Sequence, residues 1–387
     1  MKPRLAVITT HPIQYYAPIF RLIQSRGNID CRVFYTWGDT STQKYDPGFG
    51  QVISWDIPLL DGYEYEFLDN RAADPGTHRF MGIRAQNAYE RVKSWNPTHL
   101  LVIGWSWYTH LELMIRFHGK VPVLFRGDSH LLDPVSPMKN RLRQWFLTGI
   151  YRFADLALAV GLHNEAYFRW VGMKPGQIRR VPHAIDNDRF ASLTDAQERE
   201  LKEWKQELGI TDGQVVFLFA GKFQRKKGIF DLITAFSSIP DPSIRLILIG
   251  NGEDYNAIME AIRPDTRIQW LPFQNQSRMP LVYRLGHWFV YPSHGPGETW
   301  GLAVNEAMAS GTPCIVSDRV GCAPDLITEG ETGFTYRVGN QPALATLIGE
   351  ITSSPEEWSR QQQACRQKIA SYSIEAIATG IEEAVSA

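Results

Sequence analysis

The chain has 387 residues, enough for two domains that each bury a core of their own. Hydrophobic residues make up 44% and charged residues 21%, the balance of a globular protein. A net charge of −1 provides no whole-molecule field to draw nucleic acid or another polyanion. No apolar run approaches the ~18 to 20 residues that a membrane span needs. The four cysteines (Cys31, Cys314, Cys322, Cys365) show neither metal spacing nor a disulfide framework, so a reducing, cytoplasmic setting is expected.

In chain order, Leu5 to Thr9 reads as a first strand. A loop containing His11 and Gln14 follows, then a helix with Tyr16, Ile19, Phe20 and Ile23 at helical spacing. The loop leaves the carboxyl end of a strand, where α/β sheets bind ligands, so His11 and Gln14 are cleft candidates; the alternative is a helix start with His11 as a cap. Cys31 to Tyr35 is a second strand. From Gly38 to Asn70 periodicity is lost among Gly, Pro and aromatic residues, which predicts a lid or pocket-shaping excursion, or a structural loop closed by its own aromatics. Arg79 to Trp95 reads as a helix and His99 to Gly104 as a strand with Trp105 at its mouth. Tyr108 to His118 reads as a helix and Val121 to Phe125 as a buried strand. The cluster Arg126, Asp128 and His130 at that strand's mouth needs partners, either a ligand or an internal Arg126–Asp128 pair.

Pro137 to Phe153 is an amphipathic basic helix. It carries Lys139, Arg141, Arg143 and Arg152, with Trp145 and Phe146, and no acidic residue. Such a helix either lies on an anionic membrane surface or is a surface helix with its apolar face in the core. Leu156 to Val160 and Ile178 to Pro182 are strands. A hinge is expected next, with residues 191–213 as linker and a charged helix over 194–208 capped by Asp195.

The strand Val215 to Ala220 opens a second domain. Lys222, Arg225, Lys226 and Lys227 place four cations in six positions between this strand and a helix reaching Phe236, a phosphate-binding candidate or a solvated charge run. Strands follow at Ile244–Ile249, before Gly252, and at Arg267–Pro272, before Phe273. Ser277 is expected to cap a helix through Leu285. Trp288 to Tyr291 is a buried strand. A polar loop with Glu298 leads to a helix from Gly301 to Ser310, stopped by Gly311, and Cys314 to Val316 is the next strand. The first-turn N–H groups at Gly301 and Leu302 form an anion seat. Glu298 hangs before the helix, and Glu306, eight positions on, lies within it. The alternative makes Glu298 a dipole partner and Glu306 a surface residue. Helices fill 342–370 and Ser373 to Val385.

The stretch Glu298-Thr299-Trp300-Gly301, Glu306-Ala307-Met308-Ala309-Ser310-Gly311-Thr312-Pro313 resembles the donor-site motif of the retaining glycosyltransferases of family four, of the glycosyltransferase group 1 type. Gly221-Lys222 and Lys227-Gly228, Asp186 with Arg189-Phe190, and Gly333-Phe334 carry the resemblance further. It covers about 181–340 in detail and is pattern-level before that. Threonine replaces a motif glycine at 299, Lys222 stands where the family has arginine, and the first loop lacks the family's glycines. His183-Ala184 replaces Asn-Gly at the domain crossing. The place of a family histidine falls on Asp128, two residues before His130.

The resemblance implies the GT-B architecture: α/β, two facing doubly wound Rossmann-like domains with a cleft between them. Residues 1–190 with the returning helix 373–387 would form the acceptor side, and 214–372 the donor-binding domain. It implies transfer of a sugar, with retention, from a nucleotide diphosphate sugar such as a UDP- or GDP-sugar to an acceptor hydroxyl on a glycan or lipid-linked acceptor in polysaccharide or glycoconjugate synthesis. Glu298, Asp128 and His130 would be catalytic. Gly221, Lys222, Lys227, Gly252, Phe273, Gly301, Leu302 and Glu306 would hold the donor, and His11, Gln14, Trp105 and Arg126 would face the acceptor. No metal or other cofactor is expected, because the lysines and helix terminus already oppose the diphosphate charge. The enzyme is expected in the cytoplasm, with peripheral contact at the inner membrane face through 137–153. The rivals are a non-catalytic sugar- or nucleotide-binding module and a glycosidase using Glu298 and Glu306 as a carboxylate pair.

Overall fold

The computed structural model describes residues 2–38, 43–46, 51–351 and 355–386. In chain order the strands are β1 Arg4–Thr9, β2 Asp30–Tyr35, β3 Gln43–Asp46, β4 Gln51–Ser54, β5 Glu64–Phe67, β6 His99–Ile103, β7 Val123–Gly127, β8 Leu156–Ala159 and β9 Ile178–Arg180. They continue with β10 Val215–Ala220, β11 Ile244–Ile249, β12 Ile268–Leu271, β13 Trp288–Tyr291, β14 Cys314–Ser317 and β15 Gly333–Tyr336. The chain forms two compact units: residues 2–38 with 57–183 and 373–386, and residues 43–46 and 51–56 with 184–351 and 355–372.

The first unit is a parallel sheet in the order β5-β2-β1-β6-β7-β8-β9. Its central strands are near-continuous apolar runs because helices cover both faces. Leu5 to Ile8, Leu100 to Val102 and Val123 to Phe125 are buried throughout. The second unit is a parallel sheet in the order β12-β11-β10-β13-β14-β15. In each sheet, successive connections run one way from a central strand and then the other, so a crevice opens at the strands' carboxyl ends: between β1 and β6, and between β10 and β13. Two doubly wound units of this kind are the fold class expected from the sequence.

Several elements differ from expectation. The stretch 38–70 holds the antiparallel hairpin β3–β4, which groups with the second unit, and the edge strand β5 beside β2; residues 39–42 and 47–50 lie outside the described residues. Beside the edge strand, the Tyr35 and Tyr63 hydroxyls meet at 2.6 Å, and Tyr35 stacks on Phe67. Of the helix expected over 79–95, only Ala88–Ser94 is α-helical, preceded by one 3-10 turn at Phe80–Gly82. The turn is tethered by Asn70, whose amide donates to the Gly82 carbonyl at 3.0 Å. Helices Leu162–Trp170 and Tyr255–Ile262 were not anticipated. The helix Asp195–Glu207 is capped by Thr194, not Asp195, with Gln197 completing a capping box. Ser277 caps nothing: its N–H donates to Asp56 at 3.0 Å and its hydroxyl also reaches that carboxylate. The chain crosses after His183, so residues 184–213 group with the second unit.

The C-terminal helix Ile374–Ser386 packs in the first unit. Arg26 pairs with Glu382 at 3.1 Å, and Gly380 lies so close to Val181 that an added Cβ would sit 2.8 Å from it. Deeper in this unit, His110 joins three strand ends. Its Nδ1 donates to the Gly104 carbonyl after β6 at 2.7 Å. Its Nε2 accepts from the Thr36 hydroxyl after β2 at 2.8 Å, and the Thr36 N–H donates to Thr9 of β1 at 2.9 Å. Burial pushes His110 down to about 4, so it stays neutral. His183 is pushed down to about 3, by burial first and then by the Arg126 charge.

Both imidazoles bind their proton less readily in the folded chain than in the unfolded one. Their stabilising contribution is therefore complete above pH ~6.5 and lost as pH falls towards each folded value, at up to about 1.4 kcal/mol per pH unit per group. Urea unfolding at a series of pH values from 7.5 down to 4.5 is expected to show a midpoint that drops steadily below about 6.5. A midpoint that does not move over that window would show that the two histidines charge freely in the folded state.

Candidate functional site

The cation run follows β10. Arg225–Lys227 form a 3-10 turn that ends at Gly228 in the left-handed region (φ 71°), before the helix Ile229–Ser237. Gly228 is required by its neighbour as well: an added Cβ would lie 2.0 Å from the Pro292 carbonyl oxygen, on the loop after β13. The two loops are stapled there. The His294 N–H donates to the Lys226 carbonyl at 2.8 Å, and the His294 ring meets Asp231 at 2.6 Å.

This contact delivers Lys227 to Glu298, and both side chains are largely buried. Lys227 Nζ donates to the Tyr291 hydroxyl at 2.8 Å and pairs with Glu298 Oε2. The same oxygen accepts from Tyr291 at 3.0 Å and from Ser293 at 3.1 Å. All three donors converge on Oε2, and Oε1 has no hydrogen bond among the described residues. Glu298 and Lys227 thus meet at the carboxyl ends of adjacent strands β10 and β13, the sheet's switch point.

Beyond Glu298 the chain turns into the helix Leu302–Ala309. Gly301 takes a left-handed conformation (φ 98°) that an L side chain would strain, and Val320 leaves no room for a Cβ. The Trp300 indole N–H donates to Asn305 at 2.8 Å, locking turn and helix together. No side chain caps this helix, so its first-turn N–H groups keep the partial positive charge suited to an anion. Glu306 is buried in the helix and accepts from the Tyr283 hydroxyl at 2.7 Å, which overturns the reading of Glu306 as a surface residue. Gly221 and Lys222 follow β10, Gly252 follows β11 and Phe273 follows β12, all at the same edge of the sheet. Tyr291, Ser293 and Tyr283 were missed from sequence. The first two lie within seven residues of Glu298, but nothing local marks them as its partners.

In the first unit, the Arg126 guanidinium is fully buried and donates to the Val181 and Pro182 carbonyls, each at 2.8 Å. Arg126 thus straps β7 to the segment 181–182 within the fold. Asp128 is half-buried and acts electrostatically on the half-buried Tyr16 and the buried His183, with Arg126 opposing. His130 is buried. Its Nδ1 accepts the Leu132 N–H at 3.2 Å, which places its proton on Nε2, and that atom has no hydrogen-bond partner among the described residues. Asn164, also missed from sequence, holds this loop by donating to the Ser129 carbonyl at 2.8 Å and accepting the Val160 N–H at 3.0 Å. His11 bonds the Thr10 hydroxyl at 2.8 Å and meets the Trp37 ring edge-on; it does not cap the helix Ala17–Arg26, which has no side-chain cap. Gln14 is half-buried in the same loop. The Trp105 indole N–H donates to the Tyr151 hydroxyl at 3.2 Å, so this ring leans on the helix Pro137–Tyr151.

That helix divides its apolar residues. Leu147, Ile150 and Tyr151 enter the core, whereas Met138, Leu142, Trp145 and Phe146 are 75%, 66%, 78% and 56% exposed beside the exposed Lys139 and Arg141. The apolar residues of this helix are therefore split between the core and solvent. No helix among the described residues is long and apolar enough to cross a membrane.

The loops after β10 and β13 thus bring a lysine–glutamate pair to the switch point of a parallel sheet, followed in the chain by an uncapped helix start. Residues 200–368 match the model of the family described as glycosyl transferases group 1. The chain is 34% identical over 192 residues to a D-inositol 3-phosphate glycosyltransferase of Corynebacterium glutamicum, covering 46% of the chain and 44% of that protein. It is 25% identical over 176 residues to the N-acetyl-alpha-D-glucosaminyl L-malate synthase of Bacillus anthracis, covering 44% and 45%. The match thus spans less than half the length of each relative. In fold the likeness covers the whole chain: HepE of Anabaena, solved with UDP and glucose, superposes with a TM-score of 0.72 over 99% of both chains at 18% identity. The shared fold is the GT-B fold of two doubly wound α/β units.

The Gly228 contact generates a direct test. Gly228→Ala is expected to destabilise the protein by about 2 kcal/mol or more, through the left-handed strain and the clash with Pro292. Thermal unfolding of the variant measures it, and an unchanged melting temperature would show that the two loops are not held together at this point.

Proposed function

We propose that the chain transfers a sugar from a nucleoside diphosphate sugar to an acceptor hydroxyl, with retention of anomeric configuration. The observation that carries this reading is the meeting of Lys227 and Glu298 at the β10/β13 switch point beside an uncapped helix start. Lys227, Lys222 and the N–H groups at Gly301–Leu302 oppose the negative charge that grows on the leaving diphosphate. Lysine supplies that charge at 222 without the two-pronged geometry of an arginine. Glu298 Oε1 is left to accept donor-sugar hydroxyls and to face the positive charge developing on the sugar ring. Glu306, oriented by Tyr283, holds the ribose hydroxyls. The leaving phosphate oxygen takes the proton of the attacking hydroxyl. No divalent cation enters this scheme. That HepE was solved with UDP and glucose supports a nucleotide-sugar donor on this fold.

Acceptor recognition falls to the first unit, where the buried Nε2 donor of His130 and the half-buried Asp128 are the groups suited to it. The acceptor class is a glycan or lipid-linked hydroxyl in polysaccharide or glycoconjugate synthesis. Peripheral contact with an anionic membrane surface belongs to the same reading. Met138, Leu142 and Trp145 are spaced along one side of the helix, and Phe146 beside Trp145 widens the apolar strip. Lys139 and Arg141 are exposed beside it, a pattern that buries apolar rings among headgroups while cations meet lipid phosphate.

Thermal shifts with UDP, GDP and ADP test the donor site. A nucleotide at about 100 times its Kd adds about 2.7 kcal/mol to stability. One of the three is expected to stabilise the wild type, with the shift lost in Lys227→Ala and reduced in Glu306→Gln. If no nucleotide shifts the wild type at millimolar concentration, the donor site as drawn is wrong. The membrane contact is tested separately by vesicle flotation. Vesicles containing phosphatidylglycerol are expected to carry the wild type up the gradient and to leave Leu142→Glu/Trp145→Glu behind, whereas equal flotation of the two proteins would exclude this helix.

A further inference from the structure

A cavity of about 1030 Å³ lies in the second unit, away from the Lys227–Glu298 cluster. Its lining includes Gly213 and Gln214, just before β10, and His287, just before β13. It therefore opens at the amino ends of the strands whose carboxyl ends carry the proposed donor site. The helix Asp195–Glu207 forms one wall, and Arg284 and Arg366 reach it from other elements. All of these residues belong to one compact unit.

The charges in the lining are unbalanced. Lys202, Lys205, Arg284 and Arg366 face only Glu198 and Asp212. Arg284 spends its hydrogen bonds on the backbone carbonyls of Pro280 and Phe190. The side chains of Lys202, Lys205 and Arg366 have no hydrogen bond or ion pair among the described residues. The crowding of like charge is felt: burial, and then Arg366 beside it, lowers Arg284 to about 10, with Glu198 opposing. Burial lowers Lys205 as well. His287 adds no charge, since burial and then Lys205 push it down to about 4, and its Nδ1 accepts the Val216 N–H at 3.0 Å. A cationic cavity of this volume has the capacity of a small-molecule site. Guanidinium and ammonium groups converging from separate elements suit a phosphate dianion, which would satisfy them and relieve their mutual repulsion. The lining has Leu193, Leu201, Gln206 and Gln214 for the body of a ligand, but no Phe, Tyr or Trp on which a nucleobase could stack.

We propose that this cavity is a second ligand site that binds a phosphorylated small metabolite of sugar-phosphate size, and that its occupancy adjusts the donor site. Three short links connect the two. Arg284 adjoins Tyr283, which donates to Glu306 at 2.7 Å. His287 adjoins β13, which ends in Tyr291, a donor to Glu298 at 3.0 Å. The Arg366 guanidinium packs against Gly311, at the end of the helix that carries Glu306; a Cβ on Gly311 would lie 3.0 Å from Arg366 Nε. The adjustment of the donor site rests on the proposed function; binding in the cavity does not.

The test is thermal unfolding with millimolar glucose 6-phosphate, inorganic phosphate or glucose. It uses the wild type, Lys202→Gln/Arg366→Gln and Lys227→Ala. Lys202 and Arg366 are both exposed, so their replacement spares the core. Glucose 6-phosphate near saturation is expected to raise the melting temperature of the wild type and of Lys227→Ala by roughly 5 °C. It is expected to leave Lys202→Gln/Arg366→Gln unmoved, and glucose should do nothing. A shift by inorganic phosphate alone that the double variant abolishes also upholds the site, with the phosphate group as the recognised chemistry. The proposal is overturned if neither phosphate compound shifts the wild type, if the shift survives in the double variant, or if Lys227→Ala abolishes it. Nucleotide shifts run on the same three proteins keep the two readings apart, because they should vanish in Lys227→Ala and persist in Lys202→Gln/Arg366→Gln.

Discussion

The pairing of Lys227 with Glu298 is the constraint to which the second unit is fitted. Two largely buried charges are costly unless their geometry and hydrogen bonds compensate. Here Tyr291 and Ser293 supply those bonds, and the loops that carry the pair are fixed to each other through Gly228, His294 and Asp231. The same arrangement keeps a lysine charge and a carboxylate oxygen at the mouth of the sheet. A phosphate and a sugar hydroxyl are the groups that such a mouth would favour. Structural cost and proposed function therefore fall on the same atoms.

The first unit solves a related problem with a neutral network. His110, Thr36 and the Gly104 carbonyl bind the ends of β1, β2 and β6 without any charge, because burial keeps the imidazole unprotonated. Arg126 is the exception: a buried cation answered by two backbone carbonyls just before the chain crosses to the second unit. Its position after a strand and its charge gave it the look of a ligand-binding residue. Its contacts show it holding the segment that ends in His183.

The departures from the family motif have local physical accommodations. Thr299 stands where the family has glycine, yet the turn still closes, because Trp300 bonds Asn305 and Gly301 takes the left-handed conformation itself. Ala184, in place of glycine at the crossing, is buried and needs no special backbone conformation. The helix Pro137–Tyr151 departs differently. It exposes Trp145 and Phe146 beside its basic residues, the observation on which the proposed membrane contact rests.

The sequence by itself determined the buried strands at the centre of both sheets, because both-face burial demands unbroken apolar runs. It also determined the unit from β13 through the helix Leu302–Ala309 to β14, where Gly301, Gly311 and Pro313 mark the boundaries. It placed Lys227 in the loop after β10, Glu298 in the loop after β13 and Glu306 within a helix, since each lies near local boundary signals such as Gly228, Gly301 and Gly311. It did not reveal β5, a short and polar edge strand, or the helix at 162–170, whose apolar stripe is weak. Only the tertiary structure decided which groups answer each other. Lys227 and Glu298 are separated by 71 positions, Tyr283 and Glu306 by 23, and Thr36 and His110 by 74. The cationic cavity likewise gathers residues from 191 to 366. Periodicity reports which way a side chain faces along its own element. The partner it meets depends on how parallel strands order themselves in the sheet, and that order is written in no single stretch of the chain.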